Sequence, residues 1–569
     1  MASQGLIMRW VTLAVFLAGA AISIGATAAE ADRPDPSVCL GCHGNEGFAM
    51  PDASGQNRSL YVPGEKFTKS VHGQFLICVD CHTDKAEIPH KEKAKAKVDC
   101  GTCHSDQKAA YLTSVHGQEF SKGNTKAATC SSCHTKHNIQ KVETNEAKLQ
   151  IVQNCGSCHP ENFKSYANTY HGQVNTLGYT YTAKCFDCHG NHKIQRVTDP
   201  SSTVHPDNRL KTCQQCHKGA TAGFVTFQPH ANTHDFKRYP LMWIASKFML
   251  SLLAGVFAFF WLHSALWFYR EYRDRKEGKS RPHVKAEAIP GKPVKQFQRF
   301  ALGWRIGHLF FASSVMTLVL TGMIVFYADT IWAKTVVGLM GGPRVAGYVH
   351  RICAGIMLSI FFTHLVYVVI KLARNWRTFD WFGPNSLVPN LRDLQNAIDM
   401  FKWFFGKGPR PQFERWTYWE KFDYWAVFWG MGIIGSSGMM LAFPNVTASI
   451  LPGWVFNIGT LVHGEEAFLA AVFLFTVHFF NNHLRPDKYP PPDIVMFTGA
   501  VSLEEFKREH ALEYKRLVDA GELDKYLVDA PSKPMTVGSR ILGLVLIACG
   551  LTLLVLVMSG FLGEAFGGH

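Results

Sequence analysis

The chain has 569 residues, enough for two or more domains, and 47% of them are hydrophobic. Its 58 Lys and Arg against 44 Asp and Glu give a formal net charge of +14. This excess does not indicate a nucleic-acid-binding protein, because no such motif accompanies it and much of it lies beside apolar segments. Cys353 and Cys549 also lie in apolar stretches and are expected to be inert thiols.

An export signal is predicted at residues 1–29. Arg9 supplies a positive start, an apolar core follows over 11–24, and small residues at 26–28 form a cleavage site. An uncleaved N-terminal anchor is the alternative interpretation. In both cases the next region is expected outside the cytoplasm, in the periplasm of a bacterium, and a Gram-positive surface is the other option.

The region 30–237 carries the five-residue unit C-x-x-C-H seven times. This unit is the attachment signature of c-type haem: two thiols form thioethers to the porphyrin, and the adjacent His binds the iron. Zinc ribbons and disulfide frameworks also use paired cysteines, but neither requires the His that follows every copy. We therefore expect seven haems c, with short helices and loops packed on them. The units contain Cys39, Cys42 and His43; Cys78, Cys81 and His82; Cys100, Cys103 and His104; Cys130, Cys133 and His134; Cys155, Cys158 and His159; Cys185, Cys188 and His189; and Cys213, Cys216 and His217.

A second set of histidines in this region provides candidates for the sixth iron ligand. A His-Gly pair recurs at His72, His116 and His171, each followed within fourteen residues by a C-x-x-C-H unit. Methionine, the other common axial ligand, is represented between 30 and 239 only by Met50. At least six irons should therefore have two His ligands, a low potential and no open position for a substrate. The candidates are His72, His90, His116, His137, His171, His192, His205, His230 and His234; we prefer the first six and one of His230 or His234.

Six apolar segments of bilayer-spanning length follow, at 241–269, 306–327, 348–370, 424–443, 461–480 and 541–562. Basic residues concentrate in 270–305, after the third segment and after the fifth. The positive-inside rule places these three stretches in the cytoplasm, and the haem c region therefore on the opposite side. The expected location is the bacterial inner membrane, in agreement with the export signal.

Histidines inside these segments are costly to bury in lipid and point to function. They are His263, His308, His350, His364, His463 and His478. Spacings of fourteen residues from His350 to His364 and fifteen from His463 to His478 keep each pair near one helix face, about 21 Å apart along the axis. Two such helices side by side are suited to hold two haems b, one near each membrane surface.

Several of these motifs resemble one family. They are Arg305-Ile-Gly-His308, Leu320-Thr321-Gly322, His350-Arg351, Tyr424-Trp425, His463, His478 and the tail 499–510. Over 300–515 the chain is similar to the cytochrome b subunit of respiratory formate dehydrogenases and membrane hydrogenases. The resemblance implies a four-helix domain in which His350 and His463 hold an outer haem b, His308 and His478 hold an inner one, and quinone binds on the cytoplasmic side.

The chain departs from that family at four points. His364 offers an alternative inner ligand to His308, and a first span with His263 could add a third haem b. The fused haem c region instead looks like the multihaem cytochrome bc quinol oxidoreductases of metal-respiring bacteria. In the quinone region the family's Asn and Gln are not matched; Glu420 and Lys421 are the candidates there, with Glu420 as acceptor of a quinol proton and interfacial anchoring as the competing role.

The expected fold is mainly α-helical: an exported multihaem domain, a first transmembrane helix, the dihaem b domain and a C-terminal transmembrane helix. The expected activity, in anaerobic respiration, is a quinol:cytochrome c-type oxidoreductase that oxidises menaquinol and passes electrons to a periplasmic cytochrome or terminal reductase. The membrane bilayer, the quinone pool and that acceptor would be its partners. The alternatives are reverse flow to quinone, an electron-wire subunit of a larger complex, and a periplasmic oxyanion reductase with an open haem.

Overall fold

In a computed structural model, the described residues are 35–51, 55–90, 97–279 and 295–566. The predicted export signal lies outside them, as do most of a lysine-rich stretch at 91–97 and part of the basic segment after the first span. The described chain packs as two compact units. One comprises residues up to Cys155 with His189–Ser202, and the other comprises Gly156–Cys188 with Thr203 onward.

The first unit consists of short helices joined by loops, as the sequence predicts. A two-stranded antiparallel sheet pairs β1 (Ala49–Pro51) with β2 (Asn57–Ser59). The α-helices are Pro36–His43, Gly64–Thr68, Cys78–Cys81, Ser105–Thr113, Val115–Ser121, Cys130–His134 and Asn145–Cys158, with 3₁₀ turns at Thr83–Lys85 and Cys100–Thr102.

The His-Gly repeat has a structural basis in helix capping. Ser114 and Thr169 each precede a helix and accept a hydrogen bond from the backbone N–H of the repeat glycine, at 3.1 and 3.2 Å. A Cβ atom at Gly117 or Gly172 would overlap the carbonyl oxygen that ends the preceding helix. The glycine therefore allows two helices to meet at a sharp corner, and the corner presents the histidine beside it.

Among the described residues, the second unit contains six helices long and apolar enough to cross a membrane, one for each of the six predicted segments. Each is longer than its apolar segment, because the polar residues at its ends continue the helix. We call them membrane helices one to six: Pro240–Lys276, Leu302–Phe326, Pro343–Asn375, Tyr418–Ala442, Trp454–Leu484 and Lys533–Ala565.

The fourth and fifth membrane helices are not regular α-helices. The fourth contains a π-helical turn at Met431–Gly435, and the fifth contains two, at Leu474–His478 and Phe480–Leu484. Such turns insert an extra residue into a helix and are frequent at functional sites.

Apolar packing joins membrane helices one, two, five and six. Met323, Val472 and Val557 are almost completely buried in this cluster, together with Phe475.

The shorter α-helices of this unit are Pro160–Ala167, Tyr170–Thr176, Cys185–His189 (whose last residue belongs to the first unit), Arg209–Gln214, Ile331–Leu339, Leu391–Phe404, Pro444–Ile450, Val495–Thr498, Leu503–Glu509 and Ala511–Asp519, with 3₁₀ turns at Phe224–Thr226, Pro486–Lys488 and Leu523–Tyr526.

A small three-stranded sheet follows the bundle. Its central strand β3 (Lys295–Gln298) pairs antiparallel with β4 (Ala500–Ser502) and with β5 (Leu527–Asp529). Phe297 from β3 is fully buried and stacks on Phe506 with the ring centres 3.6 Å apart. The sheet thereby ties the segment before the second membrane helix to the segment after the fifth.

Candidate functional site

Four pairs of histidine rings face each other in the first unit. Two imidazoles that bind one metal ion from opposite sides, through nitrogen atoms at about 2 Å, have ring centres roughly 6 Å apart. In each pair here, one ring belongs to a C-x-x-C-H unit and the other to a histidine outside the units. The ring-centre distances are 6.4 Å for His43 and His90, 5.9 Å for His104 and His72, 6.2 Å for His82 and His137, and 6.1 Å for His134 and His192.

A fifth pair lies in the second unit, where the rings of His217 and His171 are 6.1 Å apart. Of the two alternatives His230 and His234, His230 is the more enclosed, and the Ser165 hydroxyl lies 2.9 Å from its Nδ1. His234 is exposed and its Nδ1 lies 3.3 Å from the Thr233 hydroxyl. His205 is oriented by Asp207 at 3.4 Å.

Three predicted ligands occupy helix positions that the repeat suggests. His116 lies in Val115–Ser121, His159 directly precedes Pro160–Ala167, and His189 ends Cys185–His189.

The thiols of consecutive units also come together. Cys39 hydrogen-bonds Cys78, and Cys100 hydrogen-bonds Cys130. Burial, together with the neighbouring Cys39, raises the pKa of Cys78 to about 11. Within the described ranges, no three or more His, Cys, Asp or Glu side chains form a group suited to a metal ion, whereas a structural zinc site uses four ligands. Paired histidines beside paired thiols fit a haem, whose iron takes two ligands from the protein.

The membrane bundle holds a sixth pair, with the rings of His350 and His463 6.4 Å apart. Thr321 lies 2.9 Å from Nδ1 of His350, and the carbonyl oxygen of Ile434 lies 3.1 Å from Nδ1 of His463. Ile434 belongs to the π-helical turn of the fourth membrane helix, so that turn provides the acceptor. With Nδ1 anchored on both rings, Nε2 is the atom available to an iron.

Two glycines make room for these rings. A Cβ atom at Gly322 would come within 3.4 Å of His350, and one at Gly438 within 3.0 Å of His463. A Cβ atom at Gly438 would crowd the His463 ring, whereas one at Gly322 would lie at ordinary contact distance from the His350 ring. Gly322 belongs to the motif on which the family resemblance rests.

His308 and His478 are the residues predicted for the inner haem b, and they are close enough to influence each other electrostatically. Nδ1 of His478 lies 3.0 Å from a carboxylate oxygen of Asp423. Such a carboxylate fixes the orientation of a ligating imidazole and raises its basicity. The sequence did carry a signal for Asp423, because a carboxylate inside an apolar helix is itself an indication of function.

Polar atoms without hydrogen-bond partners gather near this second pair. Among the described residues they include Oδ1 of Asp423, Oδ1 of Asn481, Nδ1 of His483 and Nε of Arg305. His483 interacts electrostatically with His478, and Arg305 precedes His308 by three residues on one helix. The donor Nε of Arg305, and Nδ1 of His483 when it carries the hydrogen, suit the propionates of a haem or the oxygens of a quinone, whereas the two oxygen acceptors suit the hydroxyl groups of a quinol.

His263 and His364 are bound differently from the paired histidines. Their Nε2 atoms, which an iron would need, lie 2.5 Å from the hydroxyl of Tyr418 and 2.9 Å from that of Tyr424. The geometry therefore favours His308 over His364 as the partner of His478. It also gives His263 a hydrogen-bonding role instead of a third haem.

The two residues predicted for the quinone region are engaged within the protein. Glu420 accepts hydrogen bonds from Thr417 and pairs with Arg299 at 3.1 Å, and Lys421 pairs with Asp393 at 2.9 Å. Thr417 and Glu420 form a capping box that starts the fourth membrane helix. This geometry fits the anchoring role better than proton acceptance.

The seventh C-x-x-C-H unit lies close to the first turns of the fifth membrane helix. The ring of His217 is 4.9 Å from that of Phe224, which is 6.0 Å from that of Phe456. Asn457 exchanges two hydrogen bonds with the backbone of Gln228, at 3.1 and 2.8 Å. Phe456 precedes His463 by seven residues, which is about 10 Å of α-helix. Packed rings thereby connect the His171–His217 pair to the helix that carries His463.

Comparisons of the chain with protein-family models, curated proteins and solved structures find no match.

Proposed function

We propose that the chain is a membrane quinol oxidoreductase that carries seven haems c and two haems b, and that it passes electrons from a quinol to an acceptor outside the cytoplasm. When bound, the haems supply reversible one-electron chemistry that no side chain of the protein provides. The residues that would hold them are the seven C-x-x-C-H units with their partner histidines, and His350, His463, His308 and His478 in the membrane.

The observation that carries this proposal is the packing of His217, Phe224 and Phe456 next to the helix of His463. Electron transfer between a membrane donor and an exported domain requires closely spaced cofactor sites. Gly453 contributes to the spacing, since a Cβ atom there would overlap the backbone of Phe224 and Phe227. Its hydrogen bond from N–H to the carbonyl of Gly223, at 2.8 Å, holds the same junction.

The protein groups have distinct tasks in this proposal. Anchored Nδ1 atoms orient the imidazoles, and Asp423 makes His478 a stronger electron donor to a metal, which lowers the potential of that site. The membrane helices exclude water from the two histidine pairs. The orphaned polar atoms near His478 and His483 support a quinone position on that side of the bundle.

Among the described residues, the C-x-x-C-H histidines His43, His82, His104, His134 and His217 each face a second histidine, which supports electron transfer over reduction of a substrate at these irons. A periplasmic oxyanion reductase needs a five-coordinate haem. Flow in the reverse direction uses the same residues.

The test uses the purified full-length holoprotein. A pyridine haemochrome spectrum should give seven haems c to two haems b, and menaquinol mixed rapidly with oxidised protein should reduce the haems b before the haems c. Bound zinc in place of haem, or haem reduction that menaquinol does not drive, would refute the proposal. Reduction of quinone by the pre-reduced protein, without the forward reaction, would assign the reverse direction.

A further inference from the structure

The His364–Tyr424 pair joins the third and fourth membrane helices. Tyr424 hydrogen-bonds Nε2 of His364 at 2.9 Å, and Nδ1 of the same ring is buried with no hydrogen-bond partner among the described residues. When the hydroxyl donates to Nε2, Nδ1 carries the hydrogen and needs an acceptor. The N–H group at Nδ1 therefore has no acceptor among the described residues, and a bound ligand would supply one.

Aromatic rings surround the pair. Trp304 packs edge to face on His364 with ring centres 5.2 Å apart, and Phe428 lies 6.2 Å from the same ring. Tyr367 continues this wall, 5.5 Å from Trp304. Flat apolar walls around a few hydrogen-bonding groups are typical of sites for planar ring compounds.

The site opens toward lipid. Trp304 is 44% exposed and Tyr367 is 49% exposed, and no residue in the apolar stretch of the third membrane helix is fully buried. A lipid-soluble ligand would reach it from within the bilayer. The otherwise similar His263–Tyr418 pair is closed off, because His263 is only 3% exposed and is enclosed by the rings of Phe401 and Phe404.

The site also lies next to the second membrane histidine pair. Trp304 and His308 are four residues apart on one helix, which is one turn or about 6 Å. A ligand seated against Trp304 would therefore be close to the groups that His308 helps to hold.

From these observations we infer that His364 and Tyr424 bind the ring of a quinone or quinol, at a lipid-facing site walled by Trp304, Tyr367 and Phe428. The inference rests on the proposed function and adds the residues that recognise its substrate. Nδ1 of His364, which is covered in this structure, donates to a ring carbonyl oxygen or quinol oxygen once the partly exposed Trp304 ring turns aside, and Tyr424 fixes the orientation of the imidazole.

The experiment measures the binding of a fluorescent alkyl-hydroxyquinoline N-oxide, a quinol analogue, to the holoprotein in lipid nanodiscs. Tyr424→Phe keeps the ring and its packing, and His364→Gln keeps a polar side chain. Each should weaken binding about tenfold, the effect of losing one hydrogen bond in a partly buried site. The matched controls Tyr418→Phe and His263→Gln should bind as tightly as the wild type.

A haemochrome spectrum of each variant completes the test. His364→Gln should keep the wild-type ratio of haem c to haem b; loss of one haem b would identify His364 as an iron ligand and overturn the inference. Equal binding by wild type and both site variants would also overturn it, while the proposed function would stand. If the wild type neither binds the analogue nor is reduced by menaquinol, the proposed function fails as well.

Discussion

Lys488 is the centre of a buried ion-pair network in the segment after the fifth membrane helix. Its ammonium lies 2.8 Å from Asp493, 2.7 Å from Glu505 and 3.0 Å from Glu509. Burial lowers the pKa of Lys488, but these carboxylates more than offset burial and hold it well above its ordinary value. Arg485 pairs with Glu509 at 2.7 Å and extends the network to the end of the helix that carries His478.

Lys488→Met keeps the length of the side chain and removes its charge. Three carboxylates would then share a site in which Lys488 was 7% exposed. Breaking a buried ion pair from one side costs about 3–5 kcal/mol. The matched control is Lys525→Met, because Lys525 pairs with Glu522 at 2.6 Å but is 67% exposed, and exposed pairs contribute about 0–1 kcal/mol.

Native-state proteolysis measures this difference. If cleavage follows the population of the locally opened segment, 3–5 kcal/mol corresponds to cleavage faster by about two to three and a half orders of magnitude. The control should change the rate by less than about tenfold. Equal rates in the two variants would show that burial does not set the strength of this network and would refute the reasoning.

Three further predictions concern the haem sites. Gly117→Ala should destabilise the exported region by about 1–3 kcal/mol and lower its haem c content, because the new Cβ overlaps the backbone of the preceding helix; thermal melting and haemochrome spectra check this. Asp423→Asn should raise the midpoint potential of one haem b and leave the other unchanged in a redox titration, because His478 loses a negatively charged partner; a shift of both potentials, or of neither, would contradict the assignment. Gly453→Val should slow haem c reduction by menaquinol while both haems b remain bound, because the side chain separates Phe224 from the fifth membrane helix; an unchanged rate in stopped-flow spectroscopy would argue against electron passage at this junction.

Much of the helical architecture was predictable from local sequence. The six membrane helices follow from runs of apolar residues, because each polar side chain placed in lipid costs free energy and a spanning segment must therefore be apolar over its whole length. The C-x-x-C-H units are equally local, since both thiols and the histidine that would bind one haem lie within five residues. The His-Gly repeat indicated a duplicated structure, and its capped helix corners at Ser114 and Thr169 have the same geometry.

The partner of each histidine, in contrast, was set by tertiary structure. The ring of His72 faces that of His104, although His82 is nearer to His72 in the sequence. The Nε2 atom of His364 faces the hydroxyl of Tyr424. Loops and helix packing bring these residues together although the sequence separates them. The same holds for Glu420, whose charge is neutralised by Arg299 from another segment. Sequence alone thus determined which residues are chemically able to hold haem and which segments enter the membrane. Which two imidazole rings lie close enough to share one iron depends on packing between residues that are far apart in the sequence, and only the folded chain decided that.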